Sequence, residues 1–262
     1  MENSTELSER AIRAAGDFSK EYRVKVYPIL ESTNLTVRAL AEEDAPNGTV
    51  VFADAQTAGR GRLGRSFYSP AGSSIYMTLL LRPHFLPEEA ASVTTFAAVA
   101  VARAIERVTG LHASVKWVND VWIGKRKVCG ILAESALSDA GKQISFVALG
   151  IGINVNQLEF PSELSDIATS LRLECGKAVD RFKLAAALLS ELQPLLSGDA
   201  PKEHMDEYRA RNLVLGREIT VMTGDRTYTA VGKRIEDNGN LTVLRPDGKE
   251  ETVFAGEVSI RL

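Results

Sequence analysis

The chain has 262 residues, of which 45% are hydrophobic, so it is long enough to bury a full core and to form one large domain and a small one. Its 31 basic and 34 acidic side chains leave a formal charge of -3, so the chain as a whole has no electrostatic footprint for nucleic acid. No apolar run approaches the roughly 18 residues of a membrane span, and the N-terminus lacks a signal peptide's apolar region. We therefore expect a cytoplasmic protein with neither a nucleic-acid nor a membrane partner.

The first third of the chain predicts helices alternating with strands. A short helix is predicted over residues 4–15, but it is too short and too acidic to be a DNA-reading module. A strand follows at 24–27, and Ser32 or Thr33 then caps a helix that runs to about Glu43. Residues 49–54 predict a buried strand that leads directly into a glycine-rich loop.

The middle of the chain predicts a sheet covered by long helices. Apolar and amphipathic periodicity predicts strands at 73–81, 114–117, 127–135 and 144–153, and helices at 87–108, 180–196 and 201–212. The short turns between the later strands favour antiparallel pairing over repeated βαβ units. After Gly216, five short segments separated by Gly-Asp, Asn-Gly-Asn and Pro-Asp-Gly turns predict a small β-barrel, at 218–222, 227–234, 240–244, 251–254 and 258–260.

Cysteine and histidine give no indication of a metal site. Cys129 and Cys175 stand far apart, and neither has a second Cys or His at metal-ligand spacing. We expect two reduced, packed thiols and no metal bound by the protein alone. His84, His112 and His204 stand alone, so we expect no catalytic role for them.

The loop at 59–65 reads Gly-Arg-Gly-Arg-Leu-Gly-Arg and predicts an anion clamp. Glycine lets the backbone approach a ligand closely, and arginine offers forked donors matched to phosphate and carboxylate. The glycine spacing resembles a dinucleotide fingerprint, but residues 67–72 continue as loop where that fold requires a helix. A P-loop is also excluded, because no Gly-Lys-Ser or Gly-Lys-Thr follows.

A second motif, Lys-Trp-Val-Asn-Asp at 116–120, is followed by Lys127 and Gly130. It adds lysines to an apolar sheet, about fifty residues beyond the arginine loop. Such a concentration of positive charge is expected where two anions must be brought together, because they repel each other strongly in a dry site. A nucleotide and a carboxylate are the natural pair.

Together these motifs resemble the signatures of biotin–protein ligases. That family usually has arginine where this chain has Leu63, and proline where it has Val118; neither departure removes a group that we assign to chemistry. Ser32-Thr33-Asn34, Gln56 and the strand end at 150–154 add to the resemblance, which extends from about Tyr22 to the C-terminus. The chain resembles the single-function type, which lacks an N-terminal DNA-binding domain.

The resemblance implies an α+β fold: a catalytic domain like that of class II aminoacyl-tRNA synthetases, with helices on one face of a mixed sheet, followed by an SH3-like β-barrel. The implied divisions are an N-terminal extension at 1–22, a catalytic domain at 23–213 and the barrel at 214–262. The implied reaction has two steps. Biotin and MgATP give biotinyl-5′-AMP and pyrophosphate, and a lysine of a biotin carboxyl carrier domain then takes the biotin and releases AMP.

Residues implied to bind biotin are Ser32, Thr33, Asn34, Gln56, Gly59, Arg60, Gly61, Arg62, Lys127, Gly130 and Gly152. A neutral cyclic urea needs a few fixed donors and acceptors in an apolar pocket, which hydroxyls and an amide supply without charge. Helix capping is an alternative role for Ser32 and Thr33, and the two roles can coexist. Strand bulges are the alternative for the two glycines at 130 and 152.

Catalysis is assigned to Lys127, Arg62 and Asp120. The residues implied to bind ATP are Arg62, Arg65, Phe67, Lys116, Asn119 and Lys127, with Phe67 covering the adenine and Asn119 facing the triphosphate or its Mg²⁺. Asp120 is a candidate for attracting the acceptor lysine. A structural ion pair is an equal alternative for Lys116 and Asp120.

Two other functions remain open from the sequence. A lipoate–protein ligase shares the fold and the adenylation logic, but a dithiolane ring has no ureido group for the Ser-Thr and Gln set. A non-enzymatic regulator or binding module would use the basic loop for nucleic acid, against which the balanced charge speaks. A homodimer also remains open. We further expect the loop at 59–65 to be mobile when empty, on the premise that its only strong partners are the ligand's anions.

Overall fold

The computed structural model describes residues 7–138, 143–199, 203–224, 226–254 and 256–260. Residues 4–6 of the first predicted helix and residues 201–202 of the last one lie outside this part of the chain. The helices are α1 Glu9–Ala15, α2 Thr33–Glu42, α3 Ala91–Thr109, α4 Leu171–Cys175, α5 Arg181–Leu192 and α6 Met205–Ala210. Ser8 caps α1 and Asp180 caps α5, each accepting backbone N–H groups of the first turn.

Seven strands form the larger sheet. They are β1 Arg23–Leu30, β2 Thr49–Gln56, β3 Ser74–Leu81, β4 Ser114–Lys116, β5 Asp120–Ile123, β6 Arg126–Leu137 and β7 Ile144–Asn154. Their spatial order is β1-β2-β3-β7-β6-β5-β4. The pair β1 and β2 is parallel, and the other neighbours are antiparallel, so the mixed sheet and the predicted antiparallel pairing are confirmed.

The main core lies between this sheet and the long helices. Met77 and Leu79 of β3 and Ile151 of β7 belong to the same buried cluster as the apolar residues of α3 and α5. The helix α3 supplies a continuous Ala-rich and Val-rich surface, because small residues on several of its faces allow close approach to both the sheet and α5.

One helix departs from the expectation that the helices lie on a single face. Val37 and Ala41 of α2 pack on Leu80 of β3 and on Phe146 and Ala148 of β7, in a cluster separate from the main core. Because side chains alternate between the two faces of a strand, Leu80 and Leu79 point in opposite directions. The helix α2 therefore covers part of the opposite face, and its first residues border the open remainder of that face.

The C-terminal region forms a second sheet of five antiparallel strands. They are β8 Glu218–Thr223, β9 Arg226–Ile235, β10 Leu241–Leu244, β11 Glu250–Val253 and β12 Glu257–Ile260, in the order β11-β10-β9-β8-β12. All five match the segments predicted after Gly216. Within the described residues, no helix is long and apolar enough to cross a membrane.

Candidate active site

A row of directly paired residues crosses the open face of the larger sheet. From β3 to β4 the row reads Tyr76, Gly152, Gly130, Asp120 and Lys116, each paired with the next. Paired residues on neighbouring strands point to the same face. Four residues that the sequence analysis singled out separately, all but Tyr76, are thereby placed side by side on one surface.

A cavity of about 690 Å³ opens over this row. It has the size of a small-molecule binding site. Every site residue predicted from the sequence lines it except Gly59, namely Ser32, Thr33, Asn34, Gln56, Arg60, Gly61, Arg62, Arg65, Phe67, Lys116, Asn119, Asp120, Lys127, Gly130 and Gly152. Gly59 has a packing role, because an added Cβ would lie 2.5 Å from the carbonyl oxygen of Phe67.

A neutral hydrogen-bond network forms the end of the cavity next to α2. Gln56 Oε1 accepts from the backbone N–H of Thr33 (2.9 Å) and from its hydroxyl (3.2 Å), while Gln56 Nε2 donates to Ser69 Oγ (3.0 Å). Ser32 occupies the N-cap position, yet its side chain makes no capping hydrogen bond. Ser32 is therefore the N-cap residue, as predicted, but its side chain does not cap the helix, and its buried hydroxyl borders the cavity.

Asn34 is held by the protein on all sides. Its Oδ1 lies 2.7 Å from the hydroxyl of Thr78, and its Nδ2 donates to Glu134 Oε2 (2.9 Å) and to the carbonyl of Leu132 (3.3 Å). The side chain lies directly against Gly150, where an added Cβ would come within 2.1 Å of Oδ1. Asn34 therefore fastens α2 to the sheet, and its predicted contact with biotin remains a prediction.

Bare backbone forms the floor between the two ends of the cavity. Phe67 lies on this floor, because a Cβ added at Gly152 would be 2.6 Å from its ring and one at Gly130 would be 3.2 Å from it. The ring also meets Tyr76 edge to face at 6.3 Å. The Phe67 ring thus occupies the space predicted for an apolar ligand chain. Its predicted contact with adenine remains a prediction.

Lysines and a carboxylate form the other end of the cavity. Lys127 Nζ lies 2.7 Å from Asp120 Oδ1, and both side chains are mostly buried. Lys116 stacks over the Trp122 ring at 5.3 Å, and burial lowers its pKa while nearby Asp120 and Glu257 oppose that shift. Asp120 therefore forms its ion pair with Lys127 and acts on Lys116 only through a charge interaction. The roles predicted for Asp120 and Lys116 remain predictions.

Arg62 bridges the loop, the sheet and the C-terminal region. It donates to Asn119 Oδ1 (3.1 Å) and to the carbonyl of Gly256 (2.9 Å). Asn119 in turn donates Nδ2 to the carbonyl of Ile131 (2.7 Å). The amide oxygen predicted for the triphosphate or its Mg²⁺ thus accepts a hydrogen bond from Arg62.

The other two loop arginines also have protein partners. Arg65 makes a bidentate pair with Glu257 of β12, both distances being 2.6 Å, and Arg60 lies 3.6 Å from Glu134. The loop is closed on itself as well, with Gly61 N–H donating to the carbonyl of Arg65 (2.7 Å). The loop thus has protein partners other than ligand anions, and its predicted mobility remains a prediction.

One wall of the cavity was missed by the sequence analysis. Phe160, Leu164 and Ile167 line it, although they belong to no motif. The backbone of Lys127 holds this segment, because its N–H donates to the carbonyl of Ile167 (2.8 Å) and its carbonyl accepts from Thr169 N–H (2.8 Å). The available signal was weak: isolated apolar residues in an otherwise polar segment after the 150–154 strand end.

No cluster of three or more potential metal-ligating side chains occurs among the described residues. Cys129 and Cys175 are free. Burial raises the pKa of the Cys129 thiol well above its usual range, so this sulfur stays protonated and unreactive.

Comparisons with known proteins match two parts of the chain, one in each of the two sheet regions. Residues 26–154 match the biotin/lipoate A/B protein ligase family, and residues 214–261 match the biotin protein ligase C-terminal domain. The bifunctional ligase/repressor BirA of Bacillus subtilis is 34% identical over 89% of this chain and 73% of its own length. The biotin–[acetyl-CoA-carboxylase] ligase of Mycobacterium tuberculosis is 33% identical over 96% of this chain and 95% of its own.

The solved structures agree. The biotin protein ligase of Aquifex aeolicus, in complex with biotin and ATP, superposes with a TM-score of 0.76 at 31% identity, covering 91% of this chain and 98% of that one. Sequence, fold and cavity therefore lead to one conclusion: the chain belongs to the biotin protein ligase family.

Proposed function

We propose that the protein is an ATP-dependent biotin–protein ligase. It joins biotin to ATP as biotinyl-5′-AMP and transfers the biotin to a lysine of a carrier protein. The family comparisons support this activity, and the arrangement of the cavity supports the assignment of its residues.

The observation that carries the proposal is the separation of two unlike ends by bare backbone. Gln56 ends β2 and Lys127 lies in β6, three strand spacings away, or about 14 Å at the usual distance between strands. A neutral hydrogen-bond network lies at the first end and a cation at the second. Gly152 and Gly130 lie between them, beneath the Phe67 ring, which must move aside before a ligand chain can lie there. Biotin has the same order: a ureido ring, an apolar chain and a carboxylate.

In the first step, a carboxylate oxygen of biotin forms a bond to the α-phosphorus of ATP. The bond from that phosphorus to the bridging oxygen breaks, and pyrophosphate leaves with the electron pair. Lys127 and Arg62 offset the repulsion between the two anions as they approach. Arg62 must exchange Asn119 and Gly256 for phosphate oxygens, which frees the amide oxygen of Asn119.

Mg²⁺ enters as the MgATP complex and neutralises phosphate charge. The donor set fits that role, because Asn119 supplies an amide oxygen while phosphate and water oxygens supply the remaining ligands. Arg65 is proposed to meet the leaving pyrophosphate after it releases Glu257.

In the second step, the acceptor amine attacks the carbonyl carbon of the mixed anhydride. A carbon–nitrogen bond forms, the carbon–oxygen bond to phosphate breaks, and AMP leaves. We assign to Asp120 the attraction of the incoming ammonium, which it already performs for Lys127 and Lys116. The amine loses its proton to solvent before it attacks.

The acceptor is proposed to be a biotin carboxyl carrier domain and the reaction to be cytoplasmic. The domain division at 22/23 and 213/214 is likewise a proposal; the second boundary falls between α6 and β8. A homodimer is an additional proposal that the site does not require, because all of its described groups come from one chain.

Incubation with labelled pyrophosphate, ATP, Mg²⁺ and either biotin or lipoate tests the activity. We expect label to enter ATP with biotin and not with lipoate, and a carrier domain to gain the mass of biotin. Exchange that is equal with lipoate, or absent with biotin, would contradict the proposal.

A further inference from the structure

Asn119 lies in the turn that joins β4 to β5, and Asp120 follows it directly. The side chains of both residues interact with groups outside the turn. Residues 117–119 form it, between Lys116 at the end of one strand and Asp120 at the start of the next. Asn119 engages Arg62, and Asp120 engages Lys127. The conformation of the turn at 117–119 thus sets the positions of Asn119 and Asp120, the partners of Arg62 and Lys127.

A tyrosine outside the cavity holds this turn. Tyr208 of α6 is fully buried, and its hydroxyl donates to the carbonyl of Val118 at 2.9 Å. That carbonyl belongs to the planar peptide unit that joins Val118 to Asn119. Holding it therefore fixes the orientation of this peptide plane and the position of the Asn119 backbone nitrogen. Burial raises the pKa of Tyr208 well above its usual range, so the hydroxyl keeps its proton and remains a donor.

The backbone next to Tyr208 is itself held in place against β4. The segment after α6 pairs with β4: Val115 N–H donates to the carbonyl of Arg211 (2.9 Å), and Leu213 N–H donates to that of Val115 (2.8 Å). A second anchor comes from the C-terminal region, where the carbonyl of Gly239 accepts from Trp117 Nε1 (2.8 Å). The turn is therefore fastened from two independent elements.

We propose that Tyr208 is a positioning residue for biotin adenylation: its bond to Val118 holds Asn119 where it meets the triphosphate or its Mg²⁺ once Arg62 has turned to phosphate, and holds Asp120 beside Lys127. This inference rests on the proposed function. Tyr208 does not touch the cavity, so its effect on chemistry passes entirely through the turn. Its loss leaves the neutral end at Gln56 unchanged.

Tyr208→Phe tests the inference, with Tyr22→Phe as the matched control. The hydroxyl of Tyr22, the residue before β1, also donates from a buried position to a backbone carbonyl, that of Leu189 in α5 at 2.9 Å. Each variant loses one buried tyrosine hydrogen bond, so both should lower the melting temperature by similar amounts. Only Tyr208→Phe should affect the chemistry.

In biotin-dependent pyrophosphate exchange we expect Tyr208→Phe to lower kcat about tenfold and to raise the KM for ATP, since a small displacement of catalytic groups has large effects. The Kd for biotin, measured by calorimetry, should stay within about twofold. Kinetics equal to those of Tyr22→Phe would overturn the inference, as would a Kd for biotin that changes as much as kcat does. A wild-type protein without exchange would instead refute the proposed function.

A double-mutant cycle gives a readout that a loss of stability alone would not change. If Tyr208 acts through the turn, Tyr208→Phe should lower kcat by a smaller factor in an Asn119→Ala background than in wild type, with the remaining effect passing through Asp120. Equal factors in the two backgrounds would overturn the inference. Should Tyr208→Phe not fold, Trp117→Phe removes the other anchor of the same turn, and an unchanged kcat in that variant would count against it equally.

Discussion

The two ends of the cavity are held by different forces. At the end next to α2, Thr33 and Gln56 are joined by neutral hydrogen bonds of fixed direction. At the other end, Lys127 pairs with Asp120, and Arg62 rests on an amide and a carbonyl. The first end is already complete, whereas the second must exchange protein partners for phosphate and carboxylate.

This difference assigns different tasks to the two ends. A fixed set of neutral groups selects a ligand, because a ligand that leaves those groups unpaired binds much more weakly. Cations that are held by replaceable protein partners can turn to a ligand's anions when these arrive. Substitutions at the neutral end should therefore change KM for biotin, and those at the cationic end should change kcat.

The largest effect is expected from Lys127→Met, which keeps the length of the side chain but removes its charge. Pyrophosphate exchange should lose about 10³ in kcat, the upper range for removing one group that stabilises transition-state charge. Lys249→Met, at an exposed position of the C-terminal region, is the control and should behave as wild type. A kcat within tenfold of wild type would remove Lys127 from the chemistry.

A smaller effect is expected from Gln56→Ala at the neutral end. Loss of the amide leaves Thr33 N–H without its acceptor, and the KM for biotin should rise about 30-fold. Its kcat should change by less than about threefold, because we propose that the lost groups contact the ring and not the reacting atoms. Gln143→Ala, at an exposed position, serves as the control. A fall in kcat with KM unchanged would reverse the proposed division of tasks.

A few-fold effect is expected when the loop is released from the C-terminal region. Glu257→Gln removes the charge that holds Arg65, an exposed pair that contributes at most about 1 kcal/mol. Trypsin should then cleave after the loop arginines a few times faster in the absence of ligand. Glu250→Gln breaks comparable pairs with Lys233 and Arg234 elsewhere in that sheet and should leave the cleavage rate unchanged.

Outside both ends, His204 should affect stability without affecting activity at neutral pH. Burial, helped by Arg103 and Arg209, lowers its pKa from the ordinary 6.5 to about 4. The unfolded chain therefore binds a proton that the folded chain does not, so stability falls as pH decreases from 6.5 to 4, by roughly 3 kcal/mol. The Nε2 atom lies 2.7 Å from the hydroxyl of Thr95, a contact that glutamine can replace. Between pH 7 and pH 4.5, the melting temperature of His204→Gln should fall less than that of wild type. An equal fall would contradict the assignment of this pH dependence to His204.

The sequence was informative where a local rule determines the structure. Hydrophobic periodicity placed the long helices and most strands, and the glycine-arginine loop and the 116–120 motif placed most of the cavity. The strand β5 was missed because its four residues, Asp120–Ile123, are too few to show a period between two turns. The position of α2 on the cavity face was also missed, because it depends on which face of the sheet the chain crosses.

Long-range contacts account for the remaining differences. Nothing in the local sequence indicates that Asn34 fills the space above Gly150, or that Tyr208 reaches Val118 across 90 positions. The partners of the loop arginines, Glu134 and Glu257, are also far from them along the chain. Such pairs form only when the tertiary fold brings them together, so a motif identifies the charged group but not its protein partner.

One binding experiment tests most directly whether Lys127 faces the carboxylate while Gln56 faces the ring. Calorimetry would give the Kd of biotin and of its uncharged primary amide for wild type, Lys127→Met and Gln56→Ala. We predict that wild type prefers the acid at least about tenfold, that Lys127→Met loses this preference, and that Gln56→Ala weakens both ligands equally. An undiminished preference for the acid in Lys127→Met would contradict the account.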